Sequence, residues 1–147
     1  MNIAISSDHA GLELKSFLIK NLEKKGINMT DVGPYDHNSV DYPDYAKKMC
    51  KLVLSKDVDL GIAICGTGVG MSIACNKISG IRASLCSESY SARLTRLHNN
   101  SNVLCLGARV IGEELAWNIV EEYISTDFSK DERHIRRINK LEGGIDE

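Results

Sequence analysis

The chain has 147 residues, of which 26% are charged and 43% hydrophobic, and its formal net charge is −2. That length makes one ordinary domain, residues 1–147, and the near-neutral balance carries no electrostatic footprint for nucleic acid. No apolar run approaches the roughly 18 residues that a membrane span needs, and Met-Asn-Ile-Ala-Ile-Ser-Ser-Asp lacks the basic and long apolar regions of a signal peptide, so the expected compartment is cytoplasmic, with no membrane partner.

Strand and helix patterns alternate along the chain. Asn2 to Ser6 is a short apolar run, and Leu14, Leu18 and Leu22 then mark a helix face that stops at Gly26. Ile27 to Val32 reads as a second strand. Ala46, Met49, Cys50, Val53 and Leu54 follow the spacing of an amphipathic helix. Leu60 to Cys65 is a third strand, Gly70 to Lys77 a short helix, Ile81 to Leu85 a fourth strand and Ser89 to His98 a helix. Val103 to Leu106 is the fifth strand. Leu115, Ala116, Ile119, Val120, Tyr123 and Ile124 mark the next helix, and a last one runs from about Asp131 to Leu141 with Ile135, Ile138 and Leu141 as its apolar stripe.

Short apolar strands separated by helices predict a parallel sheet covered on both faces. The expected fold is an α/β three-layer α/β/α sandwich, Rossmann-like, with a five-stranded parallel sheet and an extra C-terminal helix that packs as an arm. Strand order is not readable from the pattern. In such sheets ligands sit beyond the carboxyl ends of the strands, which directs attention to "SSDHAG", "DVGPYDHNSVDYP", "CGTGVG", "CSES" and "GARVIG".

The "CGTGVG" loop is neither of two familiar phosphate loops. A dinucleotide fingerprint requires glycine at the sixth position, where Met71 stands; a Walker loop requires Gly-Lys-Ser/Thr, and Thr67 follows Gly66. What remains is either a plain tight turn or a loop of exposed backbone N–H groups at a helix N-terminus, which stabilises negative charge. Five cysteines without a C-x-x-C pair argue against a disulfide framework or a zinc site. Cys50, Cys75, Cys86 and Cys105 read as small core residues. Cys65 stands at a strand end beside the loop, where a thiolate is favoured.

The other polar candidates each have two readings. Asp8 caps the following helix or, with His9, faces a ligand at the sheet rim. Asp41 and Asp44 read as helix caps. His98 and Asn99 lie at a helix C-terminus, with Asn100 or Asn102 as the helix stop. Arg133 and Arg137 share a face at i, i+4, as a solvated basic face or as two forks for a phosphate; Arg109 lies just past the fifth strand and can join them.

Gathered together, "SSDHAG", "DVG" followed by "DYPDYA", "GTGVGMSIACNKISGIRASLC", "RLHNNSNVLCLGARVIG" and "RHIRRINKLE" resemble the type B ribose-5-phosphate isomerases, in the superfamily that also holds the galactose-6-phosphate isomerase subunits. The resemblance implies an aldose–ketose isomerase of sugar phosphates, without metal or other cofactor, that interconverts ribose 5-phosphate and ribulose 5-phosphate. It implies Cys65 as the base, and the N–H groups of Gly66, Gly68, Val69 and Gly70, with Thr67, as the stabiliser of a cis-enediolate. Asp8 and His98 would assist ring opening, Asn99 would hold sugar oxygens, and Tyr42 would line the substrate site. His9, Arg133 and Arg137 would bind the phosphate, with Arg109 supplied across a dimer interface. The family works as homodimers, sometimes tetramers, with sites at the interface. A six-carbon aldose phosphate and a flavodoxin-like nucleotide-binding module are the rival readings, the second weakened by the broken fingerprint.

Overall fold

Alternation between the two faces of one sheet organises the chain. A computed structural model describes residues 1–145. Five strands, β1 (Asn2–Ser7), β2 (Asn28–Gly33), β3 (Leu60–Cys65), β4 (Ala83–Leu85) and β5 (Val103–Gly107), pair in parallel in the order β2-β1-β3-β5-β4. Ile3 and Ile5 of β1, Leu60, Ile62 and Ile64 of β3, and Leu104 and Leu106 of β5 point to one core. The residues between them, among them Ala4, Ala63, Cys65, Val103 and Cys105, point to the other. This period of two gives each face of a buried strand its own layer.

The helices divide accordingly. Leu14, Leu18 and Leu22 of α1 (Leu12–Lys24), Ala92 of α4 (Ser89–Asn99), and Ala116, Ile119, Val120 and Tyr123 of α5 (Glu113–Ser125) cover the first face. Ala46, Met49, Cys50 and Val53 of α2 (Tyr42–Leu54), with Met71 and Cys75 of α3 (Val69–Asn76), cover the second. The expected three-layer α/β/α sandwich with a five-stranded parallel sheet is the observed architecture. The extra C-terminal helix, α6 (Glu132–Glu142), lies outside these layers against α4. Among the described residues no helix is long and apolar enough to cross a membrane.

Several boundaries differ from the sequence expectation, each for a local reason. β4 begins at Ala83 rather than Ile81, because Ile81 N–H closes a turn onto Ile78 O and the Asn102 side chain takes the Arg82 N–H. β2 ends on Gly33, in the left-handed region at φ +103°, and its register against β1 slips by one residue at Ile5/Ser6. Asp41 sits at the start of α2 but makes no side-chain cap bond; its carbonyl receives the Asp44 N–H instead. Asn100 is the stop of α4, in the left-handed region at φ 45°. The stripe expected to bury α6 is largely unburied: Ile135 and Leu141 are exposed, and the buried side chain is His134.

Candidate functional site

The strand order creates a crevice. From β1 the chain leaves through α1 on one face toward β2; from β3 it leaves through α3 on the other face toward β4. The carboxyl ends of these adjacent strands therefore open away from each other, which is where parallel sheets bind ligands. Asp8 follows β1 there, with its N–H donated to Ile64 O at 3.0 Å. Its carboxylate accepts from Ala10 N and Gly11 N at 2.9 and 3.3 Å, so Asp8 does cap the turn that leads into α1. Ser6 and Ser7, at the end of β1, are fully buried, and among the described residues their hydroxyls have no hydrogen-bond partner.

Cys65 ends β3 and points to the α2/α3 side of the sheet. Its Sγ accepts the Gly68 N–H at 3.2 Å. Gly68 lies at φ +79°, and a Cβ there would meet Leu85 Cδ1 at 2.5 Å. Glycine is needed for the backbone to turn under the sulfur. Thr67 Oγ1 accepts the Val69 N–H at 3.2 Å, and the first intrahelical bond of α3 runs from Ser72 N to Gly68 O. The Gly70 and Met71 amides precede that bond, at the positive end of the helix. The other cysteines are buried too, as expected. Hydrogen bonding to Cys75, reinforced by burial, pushes the Cys50 thiol up, and the bond to Cys105 does the same to Cys75. Burial, with Glu88 nearby, pushes Cys86 up to about 11. These three stay protonated thiols.

Other candidates gather at the same rim. Arg109 donates its N–H to Gly66 O at 3.0 Å, and a Cβ built on Gly66 would stand 3.4 Å from Arg109 Nη1. The Arg109 guanidinium thus stands beside the glycine loop of its own chain. The Tyr42 ring lies over Gly70, where a Cβ would meet Tyr42 Cζ at 2.7 Å. His9 Nδ1 accepts the Val40 N–H at 3.3 Å, so the proton of the neutral ring sits on Nε2.

His98, Asn99, Arg133 and Arg137 are elsewhere. α4 returns from the carboxyl edge to the amino edge, and its last turn ends there. Arg82, just before β4, donates its Nε to the carbonyls of Asn99 and Asn100 at 3.1 and 3.2 Å. A cleft at that edge is lined by Met1, Asp59, Arg82, Arg96, Asn100 and Asn102. The His98 ring packs on His134 of α6, centroids 4.3 Å apart, and Ser129 N donates to Leu97 O at 3.1 Å. His134 Nδ1 is paired with Ser129 Oγ at 2.9 Å. Burial, then the neighbouring His98 and Arg133, hold the His134 imidazole below the usual histidine range. From Gly61–Val103 to Cys65–Gly107 the sheet advances four residues, roughly 13 Å of strand between the two groups of candidates.

The chain matches known proteins over nearly its whole length. Residues 3–141 fit the family model described as Ribose/Galactose Isomerase. The chain is 45% identical over 139 residues to ribose-5-phosphate isomerase B of Escherichia coli (strain K12), covering 95% of this chain and 93% of that one. The solved ribose 5-phosphate isomerase of Thermotoga maritima is 53% identical, with a TM-score of 0.94 over 96% of this chain and 97% of its own. That of Clostridium thermocellum is 46% identical, with a TM-score of 0.95 over 97% and 95%.

Proposed function

Because the chain belongs to the ribose/galactose isomerase family, we propose that it interconverts D-ribose 5-phosphate and D-ribulose 5-phosphate, with Cys65 as the base. The observation that carries this reading is Cys65 Sγ at the carboxyl edge of β3, bonded to Gly68 N–H inside a glycine loop at a helix N-terminus. The C2 proton of an open aldose is weakly acidic, so removing it needs a placed base and a preorganised acceptor of the negative charge.

Asp8 and His98 open the sugar ring by moving the proton between the ring oxygen and the C1 hydroxyl. The Cys65 thiolate then takes the proton from C2. The C2–H electron pair becomes the C1–C2 double bond, and the carbonyl pair moves onto O1. The N–H groups between Gly66 and Gly70, with Thr67, hold the enediolate; one such donor is typically worth about 3 kcal/mol. A proton passes from O2 to O1, and the Cys65 thiol delivers its proton to C1, leaving the ketose. His9 through Nε2, Arg109, Arg133 and Arg137 hold the phosphate, and Tyr42 and Asn99 hold the sugar.

This arrangement requires a second copy of the chain. Within one chain the Cys65 loop and the pair His98/Asn99 lie at opposite edges of the sheet. A homodimer whose loop faces the α4–α6 end of its partner unites them. Val69 and Ile73 of α3 and Leu85 of the edge strand β4 are exposed apolar residues beside the loop. They offer a surface that a second copy would cover.

The test is a coupled assay with ribose 5-phosphate, allose 6-phosphate and galactose 6-phosphate. Ribose 5-phosphate should lead in kcat/KM by at least about tenfold, the discrimination that one extra carbon in a fitted pocket allows. A six-carbon substrate in the lead would reassign the substrate, and turnover of none would remove the isomerase reading.

A further inference from the structure

Lys15 breaks the pattern of its helix. Leu14, Leu18 and Leu22 form the buried stripe of α1, and Lys15 lies among them with 1% of its surface exposed. A charge taken out of water needs partners, and those of Lys15 lie in β2 and at the start of the segment that leads to α2. Nζ reaches Asp31 Oδ1 at 2.7 Å and Pro34 O at 2.5 Å, and stands 5.3 Å from the centre of the Tyr35 ring. Asp31 Oδ1 also accepts the Gly33 N–H at 2.9 Å, and Asp31 O accepts from the Tyr35 hydroxyl at 3.0 Å. One ammonium thus ties together the end of β2, the slip in its register and the first residues of the segment that follows.

That segment, residues 34–41, is otherwise thinly held. Its residues from Tyr35 to Ser39 are exposed, and the bond from Asn38 N to Asp36 Oδ1 is local. Yet its far end touches two groups of the site: Val40 N–H holds His9 Nδ1, and Tyr42 lies over Gly70.

We propose that Lys15 is a positioning residue for substrate binding: by anchoring the segment between β2 and α2 at Asp31 and Pro34, it keeps the Val40 N–H on His9 Nδ1 and so presents His9 Nε2 as the donor. The inference rests on the reading of His9 as a phosphate ligand. Lys15 itself touches no reacting atom; its effect passes through the segment to an imidazole whose tautomer and ring orientation the Val40 amide fixes.

Lys15→Met keeps the unbranched stem and removes the ammonium. Asp31 retains the Gly33 N–H and has 33% of its side chain exposed, so water can take the vacated place. In the full-length variant the Val40 amide should exchange with solvent about tenfold faster than in the wild-type chain, while amides in β3 keep their protection. KM for ribose 5-phosphate should rise about tenfold with kcat within about twofold. In a His9→Ala background the same substitution should move KM by less than about twofold, since both changes act through one contact. Val40→Pro, which deletes the N–H at the other end of the segment, should raise KM alike and serves if Lys15→Met does not fold. Unchanged exchange at Val40 overturns the anchor. Faster exchange with an unchanged KM, or KM effects that multiply in the double variant, overturns its route through His9. A His9→Ala chain with a normal KM instead refutes the phosphate role of His9, and Val40 exchange still decides whether Lys15 holds the segment.

Discussion

At the scale of single residues, the five cysteines share burial and differ in what meets the sulfur. Cys50 and Cys75 are held as thiols by bonds to other thiols, whereas Cys65 receives a backbone N–H from a loop that only glycine can turn. This difference predicts which thiol matters. Cys65→Ser keeps the shape and replaces the proposed base by a hydroxyl that scarcely ionises near neutral pH, so turnover should fall at least about 10²-fold, the range for a positioned base. Substrate binding should persist. Iodoacetamide should inactivate the wild-type enzyme, with ribose 5-phosphate protecting it and peptide mapping locating the adduct at Cys65. A Cys65→Ser enzyme with near-full turnover would move the base to another residue. The site around Cys65 was legible because strand, loop and helix N-terminus are contiguous in sequence, so a local reading suffices. Lys15 is the opposite case, because lysine is usually a surface residue and its type alone carries no signal. The available signal was its place inside the Leu14–Leu18–Leu22 stripe, where a polar residue contradicts the helix period.

At the scale of elements, α6 is the piece with least core beneath it. It is tied to the body by the His98–His134 stack, by the Ser129 N–H donated to Leu97 O just before it and by an ion pair from Arg82 to Glu142 at 2.6 Å. Its apolar stripe was legible, but not the direction that the stripe faces; a period of 3.6 defines a face and says nothing of which neighbour covers it. The buried position went to His134, and this gives α6 a pH dependence. The groups facing His134 are His98 of α4, Ser129, Asp131, Arg133 and Arg137. Burial, then His98 and Arg133, disfavour its protonated form, so the folded chain binds a proton there less readily than the unfolded chain. Stability from this group is therefore complete above the ordinary histidine value, about 6.5, and is lost as pH falls through the lower folded value. Below about pH 6.5 the wild-type Tm should decline more steeply than that of His134→Gln, which cannot titrate. Parallel Tm curves for the two proteins would show that His134 does not govern the acid limb.

At the scale of the whole molecule, the layer architecture followed from alternation alone, but the placing of the candidate residues at two opposite edges of the sheet did not emerge from the motif list. The rule that could have revealed it is topological. A helix between parallel strands starts at the carboxyl edge and ends at the amino edge. His98 and Asn99, at the end of α4, must then lie across the sheet from Cys65, at the end of β3. The resemblance implies sites at a dimer interface, and the fold adds that "RLHNNSN" and "CGTGVG" of one chain stand at opposite edges of the sheet. If a second copy supplies the missing half, two inactive variants should complement. Cys65→Ser retains His98, and His98→Ala retains Cys65. Unfolded together at equal amounts and refolded, half of randomly formed dimers are mixed. Each mixed dimer holds one site with wild-type Cys65 facing wild-type His98 and one site lacking both. About one quarter of all sites, and so about one quarter of wild-type activity, should return on mixing. Each variant refolded alone should stay inactive, and prior crosslinking of the separate homodimers should abolish the recovery. If the mixture stays as inactive as its parts while native mass spectrometry confirms mixed dimers, each site draws Cys65 and His98 from the same chain, and the proposed dimer arrangement is wrong.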